Sequence, residues 1–203
     1  MPYASPLRTS LAFAASCLLA ASAWAQRAVD VQTNLLGLVN GAPNASVEVS
    51  ARPRLGLEAA AYYIAPLRRW ATPNYVSTGL RVEAAVNYYP EADFRGLALG
   101  AVARYSALDF RWDDDGAVAR PDRDFSKRRL VLGGTLGGKW LVGDGLTLES
   151  HCGLGWAVVD RYDRRDWEGT FSRTFGFRPL SVTLGLGVGW RFGNRAGRPA
   201  TAR

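Results

Sequence analysis

At 203 residues the chain is long enough for one domain and short for two. Its 48% hydrophobic content is ordinary for a water-soluble protein, and beyond the N-terminal segment no uncharged apolar run approaches the ~18 residues of a spanning helix, which excludes a helical membrane bundle. Two cysteines exclude a disulfide framework, and a net charge of +7 dispersed over connections and the tail, with no glycine loop opening a helix, argues against nucleic acid as a partner.

Residues 1–25 have the plan of a secretory signal peptide: a short start carrying Arg8, an apolar stretch from Leu11 to Ala20, and the small-x-small cleavage site Ala23-Trp24-Ala25. The mature chain is therefore expected to begin at Gln26. The alternative makes Cys17 a lipidated cysteine, because Ala14-Ala15-Ser16-Cys17 resembles a weak lipobox, but most of the apolar stretch would then follow the modified residue.

After the signal peptide, eight segments alternate with period two. The last is the clearest. Leu180, Val182, Leu184, Leu186, Val188, Trp190 and Phe192 share one phase, while Ser181, Thr183, Gly185, Gly187, Gly189 and Arg191 share the other. Successive strand side chains point to opposite faces, so one face is apolar and the other small or polar. In chain order the predicted strands are 29–36, 45–51, 55–64, 79–89, 96–110, 130–141, 146–158 and 180–192. Strands of about ten residues with this pattern cross a hydrocarbon layer when they close on themselves and leave no backbone group unpaired. The predicted fold is all-β: an eight-stranded antiparallel transmembrane β-barrel, wound as an up-and-down meander over residues 26–192, followed by a periplasmic tail at 193–203.

The connections follow the same plan. Those expected on the periplasmic side are short (Arg52-Pro53-Arg54, Pro90 to Arg95, and Val142 to Gly145), and three of the four expected outside are long (Ala65 to Thr78, Arg111 to Arg129, and Val159 to Pro179). Tyr63, Tyr105 and Trp156 fall on the apolar phase at the outer ends of the third, fifth and seventh strands. Tyr88, Trp140, Trp190 and Phe192 do the same at inner ends, so all seven are expected at the lipid interface. Glycines inside the strands, among them Gly133, Gly137, Gly153 and Gly185, suit a small crowded barrel.

The polar phase gathers Asp30, Glu48, Glu58, Glu83 and Glu149 with Arg81, Arg104, Lys139, Arg191 and the single histidine, His151. In an eight-stranded barrel, only just wide enough for its own side chains, this set is expected to pair into a charged network that plugs the lumen. A porin would want more strands and a water-filled lumen. His151 is flanked by Ser150 and Cys152, which point to the opposite face, and its own phase offers Gly153 and Gly155 in place of a serine nucleophile. No catalytic residue, cofactor or metal is assigned, and the protein is expected not to be an enzyme. The leading alternative is a lipid-modifying barrel of the lipid A acyl hydrolase type, with Glu149 orienting His151; a narrow transport pore comes third.

The third outer connection carries Asp113-Asp114-Asp115-Gly116, then Arg120, Asp122, Arg123, Asp124, Lys127, Arg128 and Arg129. The fourth carries Asp160, Arg161, Asp163, Arg164, Arg165, Asp166 and Glu168. Mixed charge of this kind is the ordinary surface of a solvated loop; read functionally, the basic groups would grip lipopolysaccharide phosphates while aspartates share bridging divalent cations. The partners expected are outer-membrane lipids and lipopolysaccharide, with the protein a monomer in the bacterial outer membrane and its extracellular ligand unassigned.

Four motifs carry a family resemblance: Thr33-Asn34-Leu35-Leu36; Pro43-Asn44 leading to Val47-Glu48; Leu146-Thr147-Leu148-Glu149; and Leu184-Gly185 through Gly189-Trp190-Arg191-Phe192. In their order and spacing they resemble a family of small outer-membrane β-barrel proteins known as a domain of unknown function, OmpA/OmpX-like in architecture. The resemblance spans nearly all of the mature chain. It implies architecture and location and supplies no activity. Where that family often has an acid-x-Arg-Tyr on the fourth strand, this chain reads Ala85-Val86-Asn87-Tyr88.

Overall fold

The computed structural model describes residues 28–69, 72–91, 94–112, 124–164 and 180–193. The segment read as a signal peptide, Cys17, Gln26 and the residues from 194 lie outside the described residues, as do the charged stretches 113–123 and 165–179. Eight strands follow in order: β1 (Val29–Asn34), β2 (Asn44–Arg52), β3 (Leu55–Arg69), β4 (Thr72–Tyr88), β5 (Gly96–Trp112), β6 (Phe125–Val142), β7 (Leu146–Arg164) and β8 (Leu180–Phe192). Each pairs antiparallel with its neighbours in sequence, and β1 also pairs with β8 from Val29↔Phe192 to Asn34↔Gly187. The sheet is therefore a closed meander with no free edge.

The two faces of this barrel are inverted relative to a water-soluble one. Val182 and Leu184 on β8 are 66% and 65% exposed on the outside, whereas Lys139 and Asp30 are fully enclosed. An outer wall of Leu57, Leu80, Leu99, Leu132, Leu154 and Leu186 belongs in hydrocarbon, which the strands can enter because pairing has already satisfied their backbones. Among the described residues no helix is long and apolar enough to cross a membrane. The strands do the crossing.

Three features differ from the sequence reading. The strands run further outward than expected: β3 reaches Arg69 instead of Ile64, β4 starts at Thr72 instead of Gly79, β6 starts at Phe125 instead of Leu130, and β7 ends at Arg164 instead of Val158. Tyr63, Tyr105 and Trp156 consequently sit within their strands, exposed on the outer face, with ladder continuing beyond them. Lys127, Arg128, Arg129, Asp160, Arg161 and Asp163 lie on β6 and β7 and not in loops. Above the bilayer both faces of a hairpin meet water, so the ladder continues on backbone pairing without the alternation that marks a buried face.

The second difference is a phase change on β7. Leu130 pairs with Val159 and Val131 with Ala157, leaving Val158 as a bulge residue. Past it, Asp160 and Tyr162 turn inward opposite Arg129 and Lys127, and Arg161 turns outward. His151 lies below the bulge and keeps its inward phase.

The third is a one-turn helix, α1 (Leu35–Val39), where β1 was expected to continue to Leu36. Asn34 ends the strand by capping this helix, its side chain accepting from Gly37 N at 3.2 Å. Asn44 closes the same loop from the other side: its Oδ1 accepts from Asn34 N at 2.6 Å and its Nδ2 donates to Asn34 O at 3.0 Å and Ala42 O at 2.9 Å.

Candidate functional site

The lumen divides into two layers. The layer toward the short turns centres on Lys139, supplied by β6 and completely enclosed. Its ammonium faces Asp30 Oδ2 at 3.2 Å, Glu149 Oε2 at 3.4 Å and the carboxylate of Glu48. Arg191 closes the other side of Asp30 with a two-pronged contact, Nε to Oδ1 at 2.7 Å and Nη2 to Oδ2 at 3.0 Å. A fork of this kind fixes orientation as well as charge. Gln32 completes the ring when its amide is oriented to suit both neighbours, accepting from Lys139 at 3.0 Å and donating to Glu149 at 3.1 Å.

Glu48 and Glu58 are directly opposed across β2 and β3, a like-charge pairing that would ordinarily repel. Asn87 from β4 lies between them and donates to both, at 2.9 Å to Glu48 and 3.2 Å to Glu58. Tyr89 adds its hydroxyl to Glu48, 2.8 Å from Oε1 and 3.0 Å from Oε2. His151 Nδ1 contacts Glu149 Oε1 at 3.1 Å, so the histidine joins the network through its acid neighbour two residues away.

The floor of this layer comes from the connection between β4 and β5. Tyr89 and Phe94 fold up into the barrel mouth, with exposures of 1% and 2% and ring centroids 4.7 Å apart. Phe94 adopts a left-handed backbone (φ 64°), unusual for a bulky residue. Arg191 donates to its carbonyl at 2.7 Å, and Lys139 and Arg191 lie over its ring at 5.0 and 5.5 Å. Two glycines make the room: a Cβ at Gly56 would overlap Glu48 and the Phe94 ring, and one at Gly185 would overlap the imidazole of His151.

The layer toward the long hairpins is sparser. Arg104 on β5 donates from Nε to Glu83 Oε2 at 2.6 Å and from Nη1 to Thr183 Oγ1 at 2.8 Å, and Arg81 lies 5.7 Å from the centre of the Tyr62 ring. Between the layers remains a cavity of about 20 Å³ lined by Glu58, Thr135, Glu149 and His151, room for one water. Above them the lumen opens into a basin of about 530 Å³, bounded by α1, Tyr62, Arg81, Arg104 and Thr183. Further out, between β6 and β7, Lys127 and Arg129 stand 3.7 and 3.8 Å from Asp160.

All ten residues expected to form the lumen network thus lie on the inner face, in two groups. Asp30, Glu48, Glu58, Lys139, Glu149, His151 and Arg191 are linked in the lower one; Glu83 and Arg104 pair in the upper, with Arg81 beside Tyr62. The seven aromatics expected at the lipid interface, Tyr63, Tyr88, Tyr105, Trp140, Trp156, Trp190 and Phe192, are all exposed on the outer face. The sequence reading missed Gln32, Asn87, Tyr89 and Phe94. The first three share the inward phase of the acids and were legible as polar residues on it. Phe94, in a connection, carried no such signal. Ser150 and Cys152 face away from the lumen, Cys152 exposed as a free thiol. Among the described residues no group of acids, histidine or cysteine is arranged to hold a metal ion.

Solved structures similar to this chain include the N-terminal β-barrel domain of Pseudomonas aeruginosa OprF (TM-score 0.44, 11% identity, 82% of this chain and 98% of that one). A major outer membrane protein from Thermus thermophilus aligns at TM-score 0.47 and 14% identity, over 82% and 98% of the two chains. Neisserial surface protein A aligns at 0.39 and 13%, over 83% and 96%. No curated protein matches the chain. The family model that matches, described as protein of unknown function DUF3575, takes in residues 10–174, from before β1 past the end of β7, and the chain belongs to that family.

Proposed function

We propose that this is a bacterial outer-membrane β-barrel whose role is structural or in surface interaction, its lumen closed by the charged network. The observation that carries this reading is the narrowing of the lumen from about 530 Å³ on the outer side to about 20 Å³ at the level of Glu149 and His151. Below that point Lys139, its carboxylates, Tyr89 and Phe94 fill the cross-section. A solute entering from outside meets a basin with a floor. Location in the outer membrane is supported by the signal-peptide pattern of residues 1–25 and by the closed amphipathic barrel, the form in which outer-membrane proteins span. Outer-membrane lipids, lipopolysaccharide among them, are the partners this placement supplies, and the long hairpins are the parts that reach beyond the surface.

A non-catalytic role is favoured by the surroundings of His151. Its Nδ1 is taken by Glu149, the adjoining space has room for no more than one water, and Ser150 lies on the other face of the strand. The test has two arms. Refolded protein in planar bilayers is expected to show no discrete conductance steps, and steady openings would favour the transport pore. Mass spectrometry of lipid A from cells expressing wild type or His151→Ala is expected to show no difference; a modification present only with wild type, at equal levels of folded barrel, would make Glu149 and His151 catalytic.

A further inference from the structure

The bulge at Val158 has an outcome on the outer face. By shifting the phase of β7 it turns Arg161 outward, directly opposite Arg128 on β6, and both side chains are exposed. Cross-strand partners have Cβ atoms about 5 Å apart, and like charges set so are destabilising. Asp160 faces inward between Lys127 and Arg129, and the acids of the outer face, Asp109 and Asp163, stand one row further out on either side of Ser126, which donates to Asp109 at 2.7 Å. Among the described residues neither Arg128 nor Arg161 forms an ion pair. Two facing guanidinium groups with no acid between them attract an anion.

Their height on the barrel says which anion. Arg128 is two residues, or about 7 Å, beyond Leu130, which pairs with Tyr105 on β5. Tyr105 and Trp156 flank this point on the outer face, at the level where aromatic side chains meet the bilayer interface. The arginine pair therefore opens sideways at the depth of lipid headgroups and not upward into the basin. Arginine's planar fork suits phosphate oxygens, and two of them balance a phosphate monoester, which carries close to two negative charges at neutral pH.

We propose that Arg128 and Arg161 form a clamp for the dianionic phosphate of an outer-leaflet lipid headgroup. The proposal rests on the outer-membrane placement above. Zwitterionic phosphodiester headgroups, whose single negative charge is already compensated, would bind it poorly.

The test uses the full mature barrel, refolded in detergent and checked by heat-modifiable mobility, then placed in phosphatidylcholine nanodiscs containing a minor fraction of bisphosphorylated or fully dephosphorylated lipid A. Retained lipid A is counted by native mass spectrometry. Wild type is expected to retain the phosphorylated form and not the dephosphorylated one. The Arg128→Gln/Arg161→Gln double variant is expected to lose ~tenfold in retention, the loss of about one charge-assisted contact. Arg52→Gln/Arg54→Gln, which removes the same charge from the exposed periplasmic turn, is expected to behave as wild type. Equal loss in both double variants would reduce the effect to net charge and overturn the clamp, as would equal retention of dephosphorylated lipid A or displacement by millimolar inorganic phosphate alone. Fractionation of wild-type cells separates the two readings: a barrel found in the outer membrane whose Arg128 and Arg161 are indifferent to lipid A defeats the clamp alone, and a barrel absent from it defeats the placement.

Discussion

The two halves of the lumen are built from the same strands and the same inward phase, yet one is solid and the other hollow. In the half toward the short turns, Lys139 and Arg191 answer Asp30, Glu48 and Glu149 within a few ångströms, and Tyr89 and Phe94 fill what remains. In the half toward the long hairpins, Glu83 and Arg104 form one close pair beside a basin of about 530 Å³. Charge alone does not make a plug. The difference lies in the large side chains that the connection between β4 and β5 folds back into the mouth, and in the convergence of several carboxylates on one enclosed cation. Water can relax around a broken contact in the upper half. It has no room to do so in the lower.

This contrast is broken most directly at its centre. Lys139→Met removes the cation from among its carboxylates and is expected to cost about 3–5 kcal/mol, because uncompensated charges stay enclosed. Urea unfolding of the refolded barrel, followed by heat-modifiable mobility, measures it, and a loss below ~1 kcal/mol would mean the lower layer is not what holds the barrel. Leu186→Arg supplies a reference from the opposite wall: Leu186 is exposed to lipid, and a charge near the midplane there is expected to cost about 2–4 kcal/mol in the same assay.

Asn87→Ala sharpens the lower half, since it leaves the opposed Glu48 and Glu58 without the amide between them. The expected cost is about 1–3 kcal/mol, and Asn87→Asp, which adds a third acid, is expected to be worse. Arg104→Gln makes the equivalent cut in the upper half. There the freed Glu83 can be hydrated from the basin, so the expected loss is about 1 kcal/mol; a loss equal to that of Lys139→Met would erase the distinction between the halves. Phe94→Gly is expected to cost about 1–3 kcal/mol, because relief of the left-handed backbone, worth ~1–2 kcal/mol, offsets only part of the lost ring contacts. It removes part of the floor, however, and planar-bilayer recordings are expected to show small conductance steps absent from wild type.

Period-two alternation in the sequence determined that the chain is a closed membrane barrel, which face of each strand looks inward, and where the short turns fall. Those properties follow from the pleat and from the demand that no backbone group be left unpaired in lipid, and both are local. Alternation also put Asp30, Lys139 and Arg191 on one face. That they touch is a matter of register and closure, which bring residues more than a hundred positions apart to within 3.2 Å. The outward extension of β3 to β7 was not legible, because hairpins above the membrane pair through their backbones and need no apolar face. Nor were the bulge at Val158, the inward fold of Phe94 and the helical turn capped by Asn34. Each depends on a neighbouring strand or loop, since an extra residue or a left-handed turn takes its meaning only from the partner that it displaces or fills.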